Sequence, residues 1–124
     1  MKTGKKIVLI VDDSMLILER MMLMLAEIRN IQFVVHAGSY DEAIELLQGV
    51  TPDLALLDIN LPDKSGIELL RTIKDKFRDV IVFMITNHAN DYYRKQCKTL
   101  GADYFFDKSK DFNLIPEVIS AETA

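Results

Sequence analysis

One cysteine, no tryptophan, three prolines and five glycines stand among 124 residues. Cys97 is alone and has no CxxC partner. It can neither close an internal disulfide nor anchor a structural zinc, which excludes a secreted disulfide scaffold and makes a reducing, cytoplasmic setting the expectation. Long apolar runs are also missing: nothing approaches the roughly 18 residues of a membrane span, and Ile7 to Val11 is too short for a signal-peptide core. Positive charge is in deficit, with 15 Lys+Arg against 19 Asp+Glu and a net charge of -4. The chain therefore lacks a field for a nucleic-acid backbone or an anionic membrane, and a protein partner or small ligand is expected instead. Neither GxxxxGK[ST] nor GxGxxG occurs, so nucleotide binding has no support. What remains is an ordinary globular balance, 49% hydrophobic and 27% charged, at the length of one domain, expected over 1–124.

Strand and helix signals alternate along the chain. Ile7 to Val11 is a β-branched apolar run ended by two aspartates, as in a strand buried on both faces. Ser14 to Ile28 follows with Ile17, Met21, Met24, Leu25 and Ile28 at helical spacing, predicted to face the sheet. Ile31 to His36 reads as a strand. Ser39 with Glu42 three residues on is a capping box for a helix closed by Gly49. Leu54 to Leu57 is a third strand, and Ser65 with Glu68 a second capping box before Ile67, Leu70, Ile73 and Phe77. Val80 to Ile85, a helix over Asp91 to Leu100 stopped by Gly101, and a strand over Ala102 to Phe106 complete the series. A last helix is placed near Leu114 with Asn113 as its cap, so that Pro116 falls in the first turn, where its missing N–H costs little. Five βα units predict an α/β fold: a doubly wound, mostly parallel five-stranded sheet with right-handed crossovers and helices on both faces.

Such sheets bind ligands outside the carboxyl ends of their strands. The residues leaving those ends are Asp12 and Asp13, Asp58, Thr86 and Lys108. Each has an ordinary explanation alone, as a helix cap, a loop acid or a solvated lysine. Together they do not, because three carboxylates in one crevice repel unless a cation neutralises them. Mg²⁺ suits two or three carboxylates in an open cleft and shares its site readily with phosphate. A carboxylate beside Mg²⁺ and a lysine is a competent nucleophile towards phosphorus. Asp58, alone at the central strand, is the expected phosphoacceptor, with the Asp12–Asp13 pair as metal holder and Thr86 and Lys108 on phosphoryl oxygens.

From Lys5 to about Ser120 the chain resembles the receiver domains of two-component response regulators. The resemblance rests on Val11-Asp12-Asp13-Ser14, on Asp58-Ile59-Asn60-Leu61-Pro62 with Gly66 eight residues after the aspartate, on Ile85-Thr86, and on Gly101 through Lys108. It implies the flavodoxin-like strand order 2-1-3-4-5. It also implies a signalling phosphoacceptor rather than an enzyme, loaded by the phosphohistidine of a histidine kinase or histidine phosphotransfer protein, and a downstream protein target. Asp13, Asp58 and the Asn60 backbone carbonyl would ligate Mg²⁺, with Asp12 holding a metal-bound water. Thr86 would be the switch hydroxyl and Phe105 the switch aromatic, acting on the face formed by the fourth helix, fifth strand and fifth helix. By strand alternation Phe105 points away from Tyr104 and Phe106. The family often has proline after the lysine; here Ser109 follows Lys108, and a trans bond is expected. Asn87 and His88 border the pocket, and neither His88 nor His36 sits in a phosphodonor setting.

A Mg²⁺-dependent phosphatase with an aspartyl nucleophile is the main rival, but phosphatases of the haloacid dehalogenase type carry an acid two residues after the nucleophile, where this chain has Asn60. A degenerate receiver serving only for docking would not need all five site residues. The chain carries no output module, so it is read as a stand-alone receiver or one cut from a longer regulator. The first helix holds more apolar side chains than one stripe requires. Met15, Leu18 and Met22 are expected to project sideways or outward as the contact for the kinase or phosphotransfer protein.

Overall fold

In the computed structural model residues 5–124 are described; residues 1–4 of the expected domain lie outside them. The β-rich runs form β1 (Lys6–Val11), β2 (Ile31–Ala37), β3 (Leu54–Leu57), β4 (Ile81–Thr86) and β5 (Tyr104–Asp107). Between and after them come α1 (Met15–Ala26), α2 (Tyr40–Leu47), α3 (Gly66–Lys76), α4 (Asp91–Thr99) and α5 (Ile115–Thr123), the last preceded by a 3₁₀ turn over Phe112–Leu114. All strand pairs are parallel and the order is β2-β1-β3-β4-β5, as expected. Burial explains the strand sequences: all four side chains of β3 are buried, and so are those of β4 beyond Ile81. On one face Val8, Ile10, Leu56 and Phe83 meet Leu18, Met21 and Leu25 of α1 and Ile115 and Ile119 of α5. On the other, Leu9, Leu57 and Met84 meet Ala43 of α2, Leu70 and Ile73 of α3, and Cys97 of α4. No helix among the described residues is long and apolar enough to cross a membrane.

Several local expectations need correction. Leu18 is buried in the core with Met21 and Leu25, while Met24 and Ile17 are only half-buried at the flank. The helix is thus rotated from the expected phase, and Leu18 cannot be a partner contact. Glu19 and Arg20 mark the outward side, and a 100° step places Leu18, Met21 and Leu25 opposite them. Asn113 does not cap α5; it lies inside the 3₁₀ turn, Leu114 occupies the cap position without a side-chain bond, and Pro116 stands in the first turn as expected. At α3 the second capping box fails: Ser65 Oγ accepts from Ile67 N, and the Glu68 carboxylate faces Arg71 at 4.0 Å instead of returning to Ser65. At α2 the first box forms with an offset, Ser39 Oγ accepting from Glu42 N while Glu42 Oε1 accepts from Gly38 N.

Two glycines expected to stop helices differ. Gly101 has φ +102°, with its N–H on the Lys98 carbonyl and that of Ala102 on the Cys97 carbonyl, a complete helix stop of the left-handed kind. Gly49 adopts no positive φ, and α2 ends at Leu47. β5 starts at Tyr104, later than expected, because the Asp103 carboxylate takes the Val82 N–H at 2.8 Å and the Lys74 ammonium at 2.9 Å in place of the strand ladder. β5 also runs one residue further than expected, to Asp107, so Lys108 follows the strand directly.

Candidate functional site

Register brings the site together. Val11 pairs with Leu57, so Asp12 and Asp58 leave adjacent strands at one level, Asp58 N–H donating to the Val11 carbonyl at 3.0 Å. Thr86 pairs with Asp107, and the Lys108 N–H binds the Thr86 carbonyl. The three acids, Asn60, His88 and Lys108 line one cleft of about 260 Å³, together with Ser14 and Ile17 at the start of α1. Asp12, Asp13 and Asp58 each direct a carboxylate oxygen into a cluster spanning no more than 4.8 Å. Lys108 enters from β5, its Nζ 2.6 Å from Asp12 Oδ2 and 3.2 Å from Asp58 Oδ2.

These groups are charged and desolvated at once: Asp12 is 4% exposed, and Asp58 and Lys108 are each 7% exposed. Burial pushes the Asp58 carboxyl above the ordinary value of 3.8 and the negative Asp12 adds to the rise, while Lys108 opposes both. One lysine cannot balance three acids. Asp12 also holds the local backbone, its Oδ1 accepting from Ser14 N at 2.9 Å, so the ordinary helix-start role and the site role coexist. Its Oδ2, buried beside the ammonium, makes no aligned hydrogen bond. Thr86 is fully buried, and its Oγ1 accepts the His88 N–H at 3.1 Å, a bond that does not use the hydroxyl proton.

Sequence reasoning left two features unassigned. Asn60 Nδ2 and His88 Nε2 approach to 2.5 Å across the cleft mouth, joining the loop after β3 to the loop after β4; nothing in the spacing of the two residues signals this. Gly66 is the other: a Cβ built there would lie 1.7 Å from the Asp58 carbonyl oxygen, so only glycine lets α3 begin against the end of β3. His36 is exposed on β2, away from the cleft. Phe105 packs with α4 and the α3 side of the sheet, whereas Tyr104 and Phe106 stack on Phe83 on the opposite face, as alternation requires. The Arg94 guanidinium of α4 lies 4.7 Å from the Phe105 ring centroid and donates to the Phe105 carbonyl at 3.4 Å. The Lys108–Ser109 bond is trans. The turn after it is held by Asp107, whose carboxyl is kept below the ordinary range by the Lys110 and Ser109 N–H groups.

Residues 8–120 match the profile of the response regulator receiver domain. The chain belongs to this family. Among solved structures, the receiver resembles a two-component response regulator of the LuxR family from Aurantimonas sp. at 24% identity and a TM-score of 0.86, over 95% of this chain and 84% of that one. It also resembles a CheY-like response regulator receiver domain protein from Methanospirillum hungatei JF-1 at 26% identity and a TM-score of 0.80, over 96% and 94%. Transcriptional regulatory protein DegU of Brevibacillus brevis is 28% identical over 112 residues, covering 90% of this chain and 48% of DegU. The receiver thus spans about half the length or less of the curated relatives it matches. It is a signalling domain of two-component systems by family, and Asp12, Asp13, Asp58 and Lys108 line one cleft at the carboxyl edge of its sheet, while Thr86 ends β4 at the same edge, fully buried and off the cleft lining.

Proposed function

We propose that this receiver accepts a phosphoryl group on Asp58 from the phosphohistidine of a histidine kinase or histidine phosphotransfer protein, with Mg²⁺ as cofactor. The observation that carries the reading is the convergence of Asp12, Asp13 and Asp58 within 4.8 Å around a lysine that cannot neutralise them all. The donor set fits the cation: the clustered ligand atoms are all hard carboxylate oxygens, and they share a single ammonium between them. Asp13, Asp58 and the Asn60 backbone carbonyl would hold Mg²⁺ directly, and Asp12 through a water. When bound, the ion supplies charge neutralisation to the phosphoryl oxygens.

In the transfer an Asp58 carboxylate oxygen attacks phosphorus and the P–N bond to the donor imidazole breaks. The electron pair leaves with the imidazole nitrogen, and the P–O bond to Asp58 forms. Lys108, already 3.2 Å from Asp58 Oδ2, moves its ammonium onto a phosphoryl oxygen, and Thr86 donates its hydroxyl proton to another. Drawing in Thr86 vacates space beneath α4, and Phe105 turns inward, biasing a two-state equilibrium of the α4, β5 and α5 face towards a downstream protein target. Incubation with acetyl phosphate and Mg²⁺ followed by intact-mass measurement tests the reading. One added phosphoryl group is expected in the parent, none without Mg²⁺ and none in Asp58→Asn; equal labelling of parent and variant overturns it.

The donor protein would approach along α1, because Ser14 and Ile17 line the cleft and Met15, Leu16, Met22 and Leu23 are exposed on the same helix. Met15 and Met22 are the expected contacts, joined by Leu16 and Leu23 in place of the buried Leu18. Met22→Glu should slow transfer from the cognate protein donor and leave acetyl phosphate labelling unchanged; unaltered protein-donor kinetics would make these residues ordinary surface.

A further inference from the structure

The segment from Asp58 to Gly66 carries Asn60, and its two ends are fixed at the sheet: the Gly66 N–H donates to the Ile59 carbonyl at 2.7 Å, and α3 begins in contact with the Asp58 carbonyl. Its tip is exposed at Pro62, Asp63 and Lys64. Leu61 packs on the core and Asn60 meets His88, but the solvated tip beyond them has no reason of its own to hold one conformation. Asp63 supplies one. Its Oδ1 accepts the Tyr40 N–H and its Oδ2 the Asp41 N–H, each at 2.9 Å, and Oδ1 also accepts Lys64 N at 2.8 Å. Tyr40 and Asp41 are the first two residues of α2, whose next N–H, at Glu42, is already taken by Ser39. The loop after β3 thus docks by a bidentate carboxylate on the positive end of a helix it does not belong to. Two further contacts brace the junction: Lys64 Nζ lies 4.7 Å from the Tyr40 ring centroid, and the Tyr40 hydroxyl is 3.0 Å from Thr72 Oγ1 on α3. Desolvation pulls the Asp63 carboxyl up, but the Asp41, Tyr40 and Lys64 N–H groups together hold it below the ordinary value.

We propose that Asp63 is a positioning residue for the cation site: by tying the loop to α2 it holds the Asn60 carbonyl where a divalent ion would need it. This rests on the reading of the cleft as a Mg²⁺ site and adds a residue that touches neither the ion nor the phosphoryl group. Outer-sphere partners of metal ligands typically change affinity by about 10- to 100-fold. Asp63 acts one step further out, and a loss of about three- to tenfold is expected from Asp63→Ala.

The experiment is Mg²⁺ titration by isothermal calorimetry, with thermal melting and amide hydrogen exchange in metal-free buffer, on the parent and on Asp63→Ala, Asp63→Asn and Ser39→Ala. Asp63→Ala should weaken Mg²⁺ binding and speed exchange at residues 60–64. Asp63→Asn, which keeps one acceptor for the Tyr40 N–H, should fall between parent and alanine variant. Ser39→Ala removes another cap of the same helix, so it should lower the melting temperature without changing Mg²⁺ affinity or loop exchange. Parent-like affinity and exchange in Asp63→Ala overturn the proposal. So does an equal loss in the asparagine and alanine variants that vanishes at high salt, since that is the field of the carboxylate alone. A parent that binds no Mg²⁺ defeats the cation site itself, whereas a parent that binds while every variant matches it defeats only the role of Asp63.

Discussion

A methyl group on Gly66 would stand 1.7 Å from the Asp58 carbonyl oxygen, and no rotamer can relieve it because the obstacle is backbone. Gly66→Ala is therefore expected to destabilise the domain by about 1–3 kcal/mol or more, as overpacking does, and to displace Asp58. Urea unfolding and acetyl phosphate labelling of the variant check both effects. Asp58 itself is expected to cost stability when ionised. Its folded-state pKa lies above the ordinary 3.8, mainly through burial, so its contribution is most favourable below that value and is lost as pH rises through the folded pKa. Without divalent ions, Asp58→Asn should melt above the parent at neutral pH, and the gap should close on acidification; thermal melts across that range read it directly. The acids, Thr86 and Lys108 were legible in the sequence because each leaves a strand at the same edge. The phase of Leu18 was not, because α1 is apolar almost all round and its two charged residues, Glu19 and Arg20, carry the information that the apolar spacing does not. Gly66 stood in the motif, but its reason is a contact across the chain that no local pattern encodes.

Between α4 and β5, Arg94 joins two elements through one ring. A cation over an aromatic face at an exposed site contributes roughly 0.5–1 kcal/mol, equivalent to a factor of about two to five in a two-state equilibrium. On the switch proposed above, Arg94→Ala should therefore shift the Phe105 equilibrium by about that factor before any phosphoryl group is added, measured by ¹⁹F NMR on fluorophenylalanine-labelled protein. An unchanged Phe105 signal would show that Arg94 does not hold the ring. Element existence and order followed from hydrophobic periodicity, and the local misses have different causes. At β5 the Asp103 carboxylate takes the Val82 N–H and the Lys74 ammonium from distant segments. At α3 the competition is local, Ser65 Oγ taking the Ile67 N–H while Glu68 faces Arg71. The start of α5 differs in kind: a 3₁₀ turn absorbs Asn113, and Pro116 then needs no side-chain cap before it.

Across the whole molecule, the sheet separates one face covered by α1 and α5 from another covered by α2, α3 and α4, and the acidic cleft lies at the edge where both layers begin. A cation bound only by the assembled cleft must stabilise the fold by mass action, by about 2.7 kcal/mol at a hundred times its dissociation constant. Melting temperature should rise with Mg²⁺ in the parent and much less in Asp58→Asn, as scanning fluorimetry would show. Cys97 points from α4 into the layer beneath it with no exposure, and burial pushes its thiol up to about 11. At neutral pH only about one such thiol in ten thousand is ionised, and none of it meets solvent while α4 stays docked. A thiol reagent consequently reacts only after α4 lifts from the sheet. The single sulfur is a built-in clock for that event: its labelling rate counts how often the fourth helix leaves its place, and comparing the rate with and without Mg²⁺ would show whether an ion at the sheet edge changes it, without any added probe.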